Sequence, residues 1–269
     1  MDTSSTRRFR VDDSLWLGAA IYRITKVYFK GQPYYIDIVE VFQETTYQTR
    51  MGELIDYITA PKDHVDLSKF SLEKYVTILS FSRRLIAGTR HRVIVVFKMA
   101  YCSFYLPVAL ALYMCNIPES YIVPAADGAA TVVHPYDIAR EILIAIGEYF
   151  QIQDDFLDYS GTSEQIEKVG TDIVGNKCTW CINKALSLAS AEQRAVLEEN
   201  YGQKDAVKEA RVKEVYEQVG LRQIYAEYEE NAYQTLSAKI AKIPEAAAPE
   251  TLKREVFTSF LRKIYKRTK

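Results

Sequence analysis

The sequence predicts an all-α fold, a bundle of many helices. Apolar residues recur at helical spacing along most of its 269 residues. Gly and Pro stand between these periodic segments and divide them. Sustained strand alternation and short-period repeats are absent. With 48% hydrophobic and 26% charged residues the chain can bury a large core.

Each helix has its own signals. LWLGAAIYRITKVYF (15–29) is periodic and stops at Gly31 and Pro33. YYIDIVEVFQETTYQTRMGELIDYIT (34–59) is long and ends before Pro61, and Asp66 or Ser68 offers a cap for a short helix after it. Residues 98–116, 134–159 and 175–188 follow, then 191–202, 204–220, 222–243 and 248–267, divided by Gly202, Gly220 and Pro244. One stretch breaks the pattern. LSFSRRLIAGTRHRVIVVF (79–97) gathers four arginines and a histidine around a glycine and ends in a β-branched run, 93–97, that suits a strand. We read it as an inserted segment that bulges out, in preference to a basic loop gripping an anion.

The formal net charge of -1 gives no whole-chain case for nucleic acid or a membrane surface. Cys102, Cys115, Cys178 and Cys181 are too few for a disulfide scaffold and point to a reducing compartment, the cytoplasm. Cys178 and Cys181 read as core packing, and Glu227, Glu229 and Glu230 as a solvated helix face. No secretory h-region opens the sequence. The apolar stretch from Tyr101 to Ile117 contains Pro107 and follows Lys98, so a buried helix is expected there and no membrane span.

The chemistry concentrates at the end of the 134–159 helix. Ile142, Ile146, Phe150, Asp154 and Asp158 fall on one i, i+4 ridge, so a core-facing stripe runs directly into two carboxylates. Asp155 lies about 100° around from Asp154. Gly147 on the adjacent row lets another helix approach. Like charges one turn apart oppose each other, and inside a cavity they call for a cation. Carboxylate oxygens suit magnesium, which commonly bridges a few protein carboxylates to substrate phosphates. Lys168 and Lys177, flanking GTDIVGNK (170–177), supply positive charge for those phosphates, and Asp172 is a further ligand or orienter. Arg7 and Arg8 offer a bidentate grip from another part of the chain.

GEYFQIQDDFLDYSG followed by GTDIVGNKCTW closely resembles the second aspartate-rich region of eukaryotic farnesyl diphosphate synthases, which are trans-type isoprenyl diphosphate synthases. Likeness extends through ENYGQKDAVKEARVKEVY (199–216), the terminal RKIYKR (262–267), and upstream GQPYY, TYQT, DYITAP, VDLSKF and SFYLP. The resemblance implies a helical bundle around a deep apolar cavity, forming a single domain over 1–269, usually as a homodimer. It implies condensation of isopentenyl diphosphate with dimethylallyl or geranyl diphosphate to give farnesyl diphosphate, with magnesium, or manganese in its place. Carried over by position, Asp2, Asp154, Asp155 and Asp158 form the metal set, with Asp158 as outer support. Arg7, Lys98, Gln151, Lys168 and Lys177 hold the allylic diphosphate, and Arg8 contacts isopentenyl diphosphate. Thr49 lines the reacting tails and, with Lys98, Gln151 and Lys168, belongs to the catalytic set. The basic tail from Arg262 either complements a helix dipole or, by resemblance, closes over the isopentenyl site.

The sequence also departs from that pattern. Asp2 stands where the last aspartate of the family's first cluster belongs, and the domain is expected to lack its N-terminal helices. Phe9 and Arg10 replace a Gly-Gln pair, and Met99 and Cys102 replace a Thr and a Tyr. A second reading therefore stands beside the enzyme: an impaired paralogue serving as a binding or dimerisation subunit. A magnesium phosphohydrolase ranks lower, because His64, His91 and His134 are all remote from the aspartates in sequence.

Overall fold

The computed structural model describes residues 3–61, 64–70, 75–79, 85–124, 130–161, 170–246 and 248–267, with backbone alone for 3–14, 75–79 and 85–89. Helix α1 (Thr3–Phe29) turns back at 30–34 into α2 (Tyr35–Thr59). A 3-10 turn follows at Leu67–Lys69, where the Asp66 carboxylate accepts from the Ser68 backbone N–H. Strands β1 (Tyr75–Leu79) and β2 (Leu85–Thr89) form an antiparallel hairpin with Tyr75 opposite Thr89. The chain then enters a continuous 25-residue rod, Arg90–Met114. It is built from α3 (Arg90–Val95), a π-helical stretch (Val96–Tyr105) and α4 (Leu106–Met114). A second hairpin, β3 (Tyr121–Pro124) with β4 (Ala130–Val133), leads into α5 (Pro135–Ser160). Helices α6 (Trp180–Leu188), α7 (Ala191–Asn200), α8 (Ala206–Gln218), α9 (Leu221–Ala241) and α10 (Arg254–Ile264) complete the bundle.

The helix ends follow local chemistry. The Thr179 hydroxyl accepts the Ile182 N–H at the start of α6. Ser190 and Gln193 form a reciprocal capping box on α7, and Asp205 accepts from Val207 and Lys208 at the start of α8. Gly220, at φ 70°, makes the left-handed turn between α8 and α9 that a side chain would strain.

Helix α5 carries the core on both of its halves. Ile142, Leu143, Ile146 and Tyr149 pack with Leu236, Phe257 and Leu261. Farther along, Ile152 and Tyr159 join Ile182, Tyr201, Tyr216 and Leu221. The aspartates stand on this second half, so their backbone is fixed by packing.

Three expectations are corrected. The run 93–97 is helical rather than a strand: Val93, Ile94, Val95, Val96 and Phe97 are all buried between α2 and α5. β-branched residues suit any tightly packed interior, and burial on several sides overrides their strand preference. The second half of 79–97 is thus core, and Arg92, one of its arginines, pairs with Glu148. Secondly, Glu229 is not on a solvated face. It is 8% exposed and accepts from Tyr149 Oη (2.8 Å), Tyr225 Oη (2.9 Å) and Gln153 Nε2 (3.1 Å). Burial, reinforced by the Glu229 contact, pushes both tyrosine hydroxyls upward in pKa. Thirdly, the helix placed at 175–188 begins only at Trp180, which leaves Lys177 and Cys178 on the preceding loop.

Candidate active site

The tip of α5 opens on a cavity of about 230 Å³. Asp56, His91, Lys98, Met99, Gln151, Asp154, Asp155, Asp158, Asp172 and Lys177 all line it. Helices α2, α3, the π-helical stretch, α5 and the loop before α6 therefore meet at one polar hollow.

Two glycines set the approach of the helices. A Cβ on Gly52 would come within 2.5 Å of the Lys98 backbone nitrogen, and one on Gly147 within 2.6 Å of Ala100 Cβ. The rod bearing Lys98 is thus clamped between α2 and α5 at backbone contact, as Gly147 predicted. Lys98 Nζ lies 2.6 Å from Asp56 Oδ2. An ammonium has three donors, so this pair leaves N–H groups for an anion.

The three aspartates of α5 have different surroundings. Asp155, 5% exposed, accepts from Gln151 Nε2 at Oδ1 (2.9 Å) and from both Trp180 N–H (2.7 Å) and His91 (3.0 Å) at Oδ2. Asp158, 6% exposed, accepts the backbone N–H groups of Thr171 and Asp172 at 2.9 Å each, and so pins the loop that carries Lys177. Gly170 is required there because a Cβ would lie 2.2 Å from the Asp158 carbonyl oxygen. The Asp154 side chain is 39% exposed on the cavity wall, with the Arg267 guanidinium 3.6 Å away. Arg267 also donates to Gln153 Oε1 and covers the Phe150 ring, while Gln153 Nε2 donates to the Ile264 carbonyl. The basic tail therefore reaches the acidic tip instead of only ending a helix.

Burial, with Asp155, Asp158 and Asp154 nearby, pushes the Asp172 carboxyl up to about 7, against the pull of Lys177. The hollow concentrates negative charge that its own lysines do not neutralise. Among the described residues no three His, Cys, Asp or Glu side chains form a self-contained metal cage. The donors present fit a hard dication held by Asp154 and completed by a phosphorylated ligand and water.

Not every expected residue falls in this hollow. Thr49 lines neither this cavity nor a second one of about 740 Å³, and its buried hydroxyl has no hydrogen-bond partner among the described residues. That larger cavity lies beside Val41, Gln48, Tyr101, Tyr105 and Tyr113. Arg7 and Arg8 sit on α1, which begins well before the expected Leu15, but their side chains lie outside the described residues, as do Asp2 and Lys168 entirely. The sequence reading missed His91, which is 64 positions from Asp155 yet buried against it. It also missed Asp56, the partner of Lys98. Cys178 and Cys181 are buried, unlinked thiols, as expected, and burial pushes Cys178 up to about 12.

A sequence model described as polyprenyl synthetase matches residues 1–219. The chain is 50% identical to a farnesyl pyrophosphate synthase of Ganoderma lucidum, over all of this chain and 72% of that protein. It is 47% identical to the one of Saccharomyces cerevisiae (71% of that protein) and 40% identical to the one of Bos taurus (70%), again over its full length. The chain thus spans about seven-tenths of these relatives. Among solved structures, T. brucei farnesyl diphosphate synthase complexed with risedronate superposes with TM-score 0.78 at 25% identity, covering 97% of this chain and 68% of that one. The same enzyme with a benzoindole dicarboxylic acid gives 0.79 at 26%, covering 98% and 69%.

Proposed function

This chain belongs to the polyprenyl synthetase family, and from that premise we propose that it is a prenyltransferase joining isopentenyl diphosphate to dimethylallyl or geranyl diphosphate, with farnesyl diphosphate as product. The observation that carries this reading is the convergence of Lys98, Gln151, Asp154, Asp172 and Lys177 on one cavity from separate elements. Asp154 would hold a magnesium ion there, and the ion would supply Lewis-acid neutralisation of charge on the departing diphosphate.

The chain's own residues account for the rest. Lys98 and Lys177 approach from opposite elements and place positive charge on diphosphate oxygens as the allylic C–O bond breaks. Gln151, tethered at Nε2 by Asp155, presents a fixed amide to the ligand. Asp155 and Asp158 serve by holding Gln151 and the 171–180 loop in place. Lys168 and Arg7 join the diphosphate set, Arg8 the isopentenyl site and Asp2 the metal set by the family resemblance. The double bond of isopentenyl diphosphate attacks the allylic cation, and loss of a proton completes the new bond. Arg267 Nη2 lies 3.6 Å from Asp154 Oδ1 and would yield that carboxylate to a bound cation. The larger cavity has the volume for an isoprenoid chain, with Val41, Tyr101, Tyr105 and Tyr113 as its apolar wall and Glu40, Glu44 and Arg140 also lining it.

The working unit is a homodimer in the cytoplasm. Trp16, Ile24, Val27 and Tyr28 are exposed on one face of α1, which supports a covered face. The rod Arg90–Met114 is long and apolar enough to cross a membrane, but 61% of its most apolar window is buried and it carries Lys98. We read it as a core helix. Incubation with magnesium, geranyl diphosphate and labelled isopentenyl diphosphate tests the proposal. Labelled farnesyl diphosphate supports it; retained pyrophosphate binding with no product favours the binding-subunit reading.

A further inference from the structure

Resting on that reading of the cavity, we infer that His91 is a positioning residue of the diphosphate site, acting through Asp155. The carboxylate of Asp155 is nearly sealed from solvent and has three donors, each from a different place: His91 at the start of α3, Gln151 one turn back on α5, and the Trp180 N–H at the start of α6. A carboxylate oxygen only accepts, so Nε2 of His91 is assigned as the donor of this pair. His91 is itself 5% exposed, so the contact is shielded from water and from salt.

The arrangement transmits position in two directions. On one side Asp155 holds the Gln151 amide, which faces the ligand. On the other it anchors Trp180, and Lys177 lies only three residues earlier on the same loop. Without the His91 donor, Asp155 keeps only the Trp180 N–H at Oδ2 and is less well held there. Its carboxylate can then rotate, carrying Gln151 and the Lys177 loop off their cavity positions. A buried hydrogen bond to a charged group is among the stronger single contacts, so the loss reaches the ligand site. His91 makes no contact with the diphosphate in this account; its effect passes entirely through Asp155.

The test is calorimetric titration of inorganic pyrophosphate in excess magnesium, on wild type, His91→Leu and His91→Gln, each checked for its thermal midpoint. Wild type is expected to bind. His91→Leu should bind about tenfold or more weakly, while His91→Gln, whose amide N–H reaches Asp155, recovers affinity to within about threefold. In the condensation assay the same Leu variant should raise KM for the allylic substrate more than it lowers kcat. If His91→Leu does not fold, His91→Asn, too short to reach Asp155, takes its place. Wild-type binding with equal affinity in the folded Leu or Asn variant overturns the inference and leaves the proposed function intact. Failure of His91→Gln to recover binding at a wild-type thermal midpoint also overturns it. Absence of pyrophosphate binding by the wild type removes the prenyl diphosphate reading, and the inference falls with it.

Discussion

Among the acids at the tip of α5, position on the helix decides function. Asp154 stands at the cavity wall, whereas Asp155 and Asp158 are spent on holding Gln151, His91, Trp180 and the 171–172 backbone. Asp154→Ala should therefore lower condensation at least about a hundredfold with little change in fold, measured by kcat/KM beside the thermal midpoint. Asp172 gives a pH signature. Its folded pKa of about 7 lies above the unfolded value, so the folded state binds a proton that the unfolded state has released. In metal-free protein stability should fall as pH rises from about 4 to 7 and level off above, and Asp172→Asn should flatten that slope. Thermal midpoints taken across that range, with and without magnesium, check it. Many of these residues were legible because the acidic triplet interrupts an apolar ridge and lysines lie close behind it. His91 and Asp56 were not, since their partners are 64 and 42 positions away and only the packed helices bring them together.

At the level of elements, the rod Arg90–Met114 is where sequence and structure diverge most. Its β-branched start reads as strand by propensity, yet it is buried on several sides and continues a helix. The π-helical stretch ends where Pro107, lacking an N–H, enters the first turn of α4. The close crossings at Gly52 and Gly147 make its position sensitive. Gly147→Ala should cost about 1–3 kcal/mol in stability, and Gly52→Ala a similar amount, with Lys98 displaced as well. Denaturant titration of both variants measures the first effect, and pyrophosphate affinity of Gly52→Ala the second. Glu229 teaches the complementary lesson. Three acids around one tyrosine look solvated in a sequence, but Tyr149 and Gln153 on α5 supply the donors that let one of them turn inward. Glu229→Leu strands two buried hydroxyls and leaves the Gln153 amide only its Ile264 acceptor, and should destabilise by about 3 kcal/mol, read in the same titration.

For the whole molecule, the fold class was readable from periodicity and punctuation, because nearly every helix has its own apolar face and its own stop. Both hairpins escaped that reading: they are short, two-stranded and lie between helices, too brief to sustain alternation. The assembly is a matter of surface. Trp16 is 69% exposed on one face of α1 with Ile24 and Val27, so Trp16→Glu should shift the protein from dimer to monomer in sedimentation velocity. The central claim is that a divalent cation on Asp154 ties a diphosphate to Lys98 and Lys177 within the hollow at the tip of α5. A crystal structure grown with magnesium and pyrophosphate tests it most directly. The account predicts an ion about 2.0–2.1 Å from an Asp154 oxygen, with both lysines on the phosphate oxygens and Arg267 moved off the carboxylate. An anion bound outside this hollow, with Asp154 still paired to Arg267 and far from any metal, would contradict it.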